Sequence, residues 1–243
     1  MNSSPMNSSQ GPKVVVITGA SQGIGADLVA AYRKLGYGVV ATSRSIGASD
    51  DPEIVTVRGD IAEADTAERV VRAALDRFGR IDTLVNNAGV FVAKPFTDYT
   101  DEEFDLVTGV NLAGFFHLTR RVLPHLLAGG AGHIVSITTS FVDQPSAHVP
   151  SVLASLTKGG LSSATKSLAI EYAARGVRVN AVAPGIIKTP MHPVETHETL
   201  AGLHPVGRMG ETSDVVDAVL YLESAPFVTG EILHVDGGQN AGH

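Results

Sequence analysis

The apolar run VVVI leads straight into TGASQGIG, with Gly19, Gly23 and Gly25 separated by Ala20, Ser21, Gln22 and Ile24. Glycines at this spacing let the backbone turn tightly and approach a pyrophosphate. A helix starting there turns its free N–H groups and positive dipole end toward that anion. Placed between a strand and a helix, the loop is a dinucleotide signal rather than a mere tight turn. A second chemical feature lies in PSVLASLTKGG, where Lys158 is the one cation in a small, apolar and hydroxylated run. One helical turn before it stands Ala154, which can neither give nor take a proton.

Two further positions bear on which dinucleotide would bind. The run ATSRS ends with Ser43 and Arg44 at its tip and carries no Asp or Glu there. An acid at that place binds a ribose 2′-hydroxyl, whereas an arginine accommodates a 2′-phosphate, so the tip favours NADP(H), with NAD(H) the other possibility. Asp60, closing VRGD ahead of Ile61, is placed to accept from an adenine amino group. His192, His197 and His204 lie five and seven residues apart in MHPVETHETLAGLHP. That spacing does not put ligands on one helical face, so the segment reads as a lid over the substrate and not as a metal site.

These residues need a scaffold, and the hydrophobic pattern supplies one. Short β-rich runs alternate with amphipathic stretches: KVVVIT, a helix near Ile24 to Leu35, YGVVATS, IVTVRGD, then AERVVRAALDRF. IDTLVNNAG follows, then one long helix around EEFDLVTGVNLAGFFHLTRRVLPHLL and the strand GHIVSITT. SVLASLTKGGLSSATKSLAIEYAA, GVRVNAVAPG, SDVVDAVLYLES and EILHVDGG complete the series. About seven strands in strict alternation with helices predict a single α/β domain built on a doubly wound parallel sheet with right-handed crossovers.

Composition narrows the function. The chain has 243 residues, enough for one large α/β domain, and a net charge of -7 without any basic block, which speaks against nucleic acid or an anionic membrane as partner. It has no cysteine, which removes disulfides, thiolate catalysis and Cys–zinc sites. Lacking a membrane-length apolar run and a signal-like opening, it reads as cytoplasmic. The first twelve residues, MNSSPMNSSQGP, are Ser-rich and Pro-punctuated, the composition of a disordered leader, with residues 13–243 forming the domain. Phe115, Phe116, Leu118 and Leu123 make the helix after Asn111 apolar on more than one face, as a homodimer or homotetramer contact would.

TGASQGIG, NNAG at Asn86–Gly89, Asn111, Lys158, PGIIKTP at Pro184–Pro190 and VTGEILHVDGG occur in the order of the short-chain dehydrogenase/reductase superfamily, which this chain resembles from about Lys13 to Gly238. The resemblance implies a three-layer Rossmann fold and a nicotinamide-dependent oxidoreductase of small carbonyl or alcohol substrates. It implies that Asn87, Ala88 and Gly89 lie near the cofactor ribose and that Pro184, Gly185, Ile187 and Thr189 border the nicotinamide. Lys158 would hold the nicotinamide ribose, and Asn111 a water near the lysine.

The resemblance also exposes a gap. The family pairs its lysine with a tyrosine four residues earlier, whose hydroxyl exchanges a proton with the substrate oxygen, and here that place is Ala154. The family serine falls at Thr139, with Ser140 next, and the fifteen residues from Thr139 to Ala154 exceed the family spacing. Tyr32, Tyr37, Tyr99, Tyr172 and Tyr221 all lie outside this region. Three readings stay open: an oxidoreductase with a substitute donor (His148, Ser151, Ser155, or Lys158 through a water), an NADP(H)-binding protein with a regulatory or scaffold role, or a different reaction on the same frame.

Overall fold

The computed structural model describes residues 11–242; ten of the twelve residues expected as a leader lie outside that range. β1 (Val14–Thr18), β2 (Gly38–Ser43), β3 (Ile54–Arg58), β4 (Thr83–Asn86), β5 (Gly132–Ile137), β6 (Val177–Pro184) and β7 (Ile232–Val235) form one sheet. Its order is β3-β2-β1-β4-β5-β6-β7 and every pairing is parallel. The order reverses between β1 and β4, which opens a crevice beyond their carboxyl ends, the place where such sheets bind ligands.

β1 reads as a continuous apolar run, VVVIT, because helices cover both faces of the sheet. On β1, Val14 and Val16 pack with α2 (Ala64–Phe78) and α4 (Gly114–Ala128), while Val15 and Ile17 pack with α1 (Gly23–Lys34) and α7 (Thr212–Ser224). The period-2 alternation of one strand thus feeds two cores. α5 (Val152–Tyr172) lies on the α2–α4 side and carries Lys158.

Three features differ from the sequence expectation. No helix separates β2 from β3, so strands and helices do not alternate strictly. The long helix is broken into α3 (Asp101–Thr108), a π-helical turn Gly109–Ala113 and α4. Thr100 starts α3 with a capping box to Glu103. The lid is not plain loop: a 3₁₀ turn Val194–Thr196 runs into a short helix α6 (His197–Ala201).

Away from the crevice, a buried carboxylate ties α1 and α7 to the sheet. Glu223 accepts from the hydroxyls of Tyr32, Tyr37 and Thr83 and from His133 Nδ1 at 2.9–3.1 Å. The Asn180 amide oxygen accepts from the Glu231 N–H, so its nitrogen donates to His133 Nε2 and fixes the neutral, Nδ1-protonated imidazole. Burial alone would raise the Glu223 pKa, but the donors around it outweigh that and hold it at about 2.

Candidate active site

The glycine loop closes the gap between β1 and α1. Gly19 (φ +65°) and Gly23 (φ +54°) sit in the left-handed region, and a Cβ on Gly25 would collide with the Gly19 carbonyl oxygen. α1 begins after Gln22 without any capping side chain, so its first-turn N–H groups are left for a ligand. The Asn87 amide nitrogen donates to the carbonyls of Thr18 and Gly19, and the Asn87 and Ala88 N–H groups donate to Thr18 Oγ1. The ends of β1 and β4 are thereby locked together at the crevice floor.

At the tip of β2, Arg44 is exposed and its guanidinium has no partner among the described residues. Arg58 donates to the Arg44 carbonyl and so stands at the same tip. Asp60 Oδ1 accepts from the Ala62 N–H, and its other oxygen has no hydrogen-bond partner among the described residues. The tip therefore presents two arginines, with Asp60 the nearby acid.

Lys158 is only 8% exposed. Its Nζ donates to the Ile137 carbonyl at 2.6 Å, and burial without a charged partner lowers its pKa from 10.5 to about 8. Lys158 Nζ and Asn111 Oδ1 both crowd Gly89, where a Cβ would come within 3.0 Å and 3.4 Å of them. Asn111, on the π-helical turn, exchanges two hydrogen bonds with the Val90 backbone and donates to Thr157 Oγ1. It therefore buttresses the loop that carries Gly89.

A single cavity of about 640 Å³ spans these parts. Every residue expected to touch a cofactor lines it: Gly19, Ser21, Gln22, Gly23, Ile24 and Gly25 from the loop, with Ser43, Arg44, Asp60 and Ile61 from the tips. Asn87, Ala88 and Gly89 line it beyond β4, and Pro184, Gly185, Ile187, Thr189 and Lys158 complete that set. Of the expected catalytic residues, Thr139 and Lys158 line the cavity and three do not. Ser140 is buried with its hydroxyl donated to Gln239, because a 3₁₀ turn begins there and rotates it away. His148 is exposed on the far part of the lengthened loop. Asn111 is held behind Gly89 by the bonds just described. Ser155 donates to the Phe141 carbonyl, and Ser151 is buried at the start of α5.

The three lid histidines have separate surroundings. His204 is buried, accepts from the Ile186 N–H at 2.9 Å and donates to the Leu200 carbonyl, so it pins the lid to the segment after β6. His197 Nε2 donates to the His192 carbonyl. His192 lines the cavity, a role the sequence did not single out beyond lid membership. The signal was there, since it follows Thr189 by three residues. Phe91 and Phe141, stacked at 6.0 Å, Val149, Ile186 and Leu200 make the same end of the cavity apolar. Ala154 stands among these walls with no hydroxyl.

Residues 19–240 match a family described as enoyl-(acyl carrier protein) reductase. The chain is a short-chain dehydrogenase/reductase. Its relatives include the 3beta-hydroxysteroid dehydrogenase 1 of Eggerthella lenta, 36% identical over 244 residues covering 93% of each chain. The 3-oxoacyl-(acyl-carrier-protein) reductase FabG of Thermotoga maritima is 33% identical over 244 residues, 93% of this chain and 97% of that one. Among solved structures, the 3-ketoacyl-(acyl-carrier-protein) reductase of Brucella melitensis complexed with NADH superposes with a TM-score of 0.87 at 32% identity, covering 95% of this chain and 99% of that one. ElxO with NADP bound gives a TM-score of 0.87 at 30% identity, covering 95% and 100%. The short-chain dehydrogenase/reductase described here is accordingly an oxidoreductase with a nicotinamide-type site, and the glycine cradle, the uncapped α1 and the unpaired Arg44 fit such a cofactor. No helix among the described residues is long and apolar enough to cross a membrane.

Proposed function

We propose that the chain is an NADP(H)-dependent oxidoreductase of a small, uncharged carbonyl or alcohol, working without the family tyrosine. When bound, the nicotinamide supplies a hydride to a carbonyl carbon or takes one from an alcohol. The observation behind this reading is the continuity of one cavity from the glycine loop and Arg44 to Lys158. Arg44, aided by Arg58, would hold the 2′-phosphate, and Asp60 would accept from the adenine. Asn87, Ala88 and Gly89 would line the ribose and Lys158 would donate to it, while Pro184, Gly185, Ile187 and Thr189 would flank the nicotinamide. Thr139 would orient the substrate oxygen. The apolar walls Phe91, Phe141, Val149, Ile186 and Leu200 favour a substrate with an apolar body.

The same reading takes the protein as cytoplasmic and as a homotetramer or homodimer. Leu118 and Leu123 are spent in the core, but Phe116 is 55% exposed on α4, and Leu156 and Ile170 are exposed on α5. A cofactor-binding role without turnover is the weaker reading, since relatives along the full length are named as dehydrogenases and reductases. Titration with NADPH and NADH by cofactor fluorescence, followed by a panel of ketones, aldehydes and quinones, tests the proposal. Tighter NADPH binding with turnover is the expected outcome; absence of binding would end it.

A further inference from the structure

With Ala154 in the tyrosine's place, a proton for the substrate oxygen must come from another cavity wall. Four side chains lining the cavity can carry a titrating or permanent charge: Arg44, Asp60, Lys158 and His192. Arg44 and Asp60 stand beyond the tips of β2 and β3, at the adenosine end. Lys158 is anchored by its bond to the Ile137 carbonyl and pressed against Gly89. His192 differs from all three. Its backbone is fixed at both ends, the N–H donating to the Thr189 carbonyl at 2.9 Å and the carbonyl accepting from His197 Nε2 at 3.0 Å. Its half-buried ring, in contrast, makes no hydrogen bond among the described residues. A fixed backbone carrying a free imidazole on a cavity wall leaves both ring nitrogens available to a bound substrate.

Resting on the proposed oxidoreductase reading, we infer that His192 is the general acid that replaces the missing tyrosine. In reduction, an imidazolium N–H bond breaks and an O–H bond forms on the substrate as its carbonyl carbon gains the hydride. The products are an alcohol and a neutral imidazole, which takes its next proton from water. In oxidation the neutral ring accepts the proton. Burial, and secondarily the nearby His197 on α6, lower the His192 pKa from 6.5, and Arg44, Asp60 and Lys158 are the other charged groups lining the same cavity. A lowered pKa makes the imidazolium a stronger acid, but leaves less of it at neutral pH. The reduction rate should therefore fall as pH rises through a value below 6.5, and the oxidation rate should rise through it.

His192→Gln keeps a polar side chain of similar reach and removes the titration. The expected result is an NADPH affinity within about twofold of wild type, a kcat lower by about 100-fold, and loss of the pH limb below 6.5. In His192→Ala, added imidazole should restore part of the rate. Independently of turnover, the His192 imidazole resonances should titrate below 6.5 in the free protein and shift when NADP(H) together with a ketone occupies the cavity. His192→Gln turning over with an unchanged pH profile, or a His192 resonance indifferent to cavity ligands, overturns the inference and leaves the oxidoreductase reading standing. Wild-type protein that binds NADPH and reduces no carbonyl overturns both.

Discussion

Lys158 should destabilise the protein that contains it. The side chain is buried, its single hydrogen bond goes to a neutral carbonyl, and desolvation takes its pKa from 10.5 to about 8. At about 1.4 kcal/mol for each tenfold change, that drop corresponds to about 3 kcal/mol against the folded state wherever the amine is charged. Lys158→Met keeps most of the aliphatic stem and removes the charge, but leaves the Ile137 carbonyl unpartnered at a cost of about 1 kcal/mol. The variant should then be the more stable protein at pH 7 by about 2 kcal/mol, or roughly 4–8 °C in Tm for a chain of this size.

The sign must change with pH. Because the folded pKa lies below the unfolded one, the unfolded chain holds the extra proton between about 8 and 10.5, and the wild type gains on the variant across that window. Above 10.5 only the lost hydrogen bond remains, and the wild type should be the more stable by about 1 kcal/mol. Denaturant melts of both proteins from pH 7 to 11 read the difference directly, since every other titration is shared. A difference that stays constant over that range, or a variant less stable at pH 7, would refute the reasoning. The crossover would mark Lys158 as a residue kept for the site at the expense of the fold.

Three further perturbations follow from the same geometry. Glu223 contributes stability above its ordinary pKa near 4.5 that is lost as pH falls toward about 2, about 3 kcal/mol in all, so acid unfolding of Glu223→Gln should be flatter by that amount over that interval when followed by circular dichroism. Buried His133, held neutral by desolvation, adds to acid instability from below its own ordinary range. Arg44→Glu should weaken NADPH by about 10–100-fold in fluorescence titration and leave NADH within a few-fold, the loss of one or more charge-assisted bonds to a 2′-phosphate. Gly25→Ala should weaken both cofactors more than about tenfold while secondary structure is retained, because its Cβ drives the Gly19 carbonyl out of the cradle; equal affinity would mean the loop does not hold the pyrophosphate.

Strand and helix types were legible because short runs rich in Val and Ile, such as VVVIT of β1, stand between longer stretches with a helical apolar stripe. The glycine loop and the strand tips named from the sequence line one cavity, because their placement depends on backbone conformation and on residues adjacent in sequence. Other features depend on tertiary packing. The π-helical turn at Asn111 leaves the residue periodic enough to read as uninterrupted helix, while turning its amide onto Val90 rather than the cavity. His148 carries the right chemistry for a donor, but the lengthened loop leaves it in solvent. Ser140, next to Thr139, faces away from the cavity, since the 3₁₀ turn starting there points its hydroxyl to Gln239. His192 follows Thr189 by three residues, but its place on the cavity wall appears only once the segment after β6 is folded.

Hydride transfer between a nicotinamide and a carbonyl in this cavity, with Ala154 in the wall, can be read directly. The most direct measurement is incubation with NADPH deuterated at C4, in each stereochemical form, and a reducible ketone, followed by mass spectrometry of the alcohol. Deuterium on the carbinol carbon from one form and not the other is the predicted result. Alcohol without label, or no alcohol from protein saturated with NADPH, would contradict it.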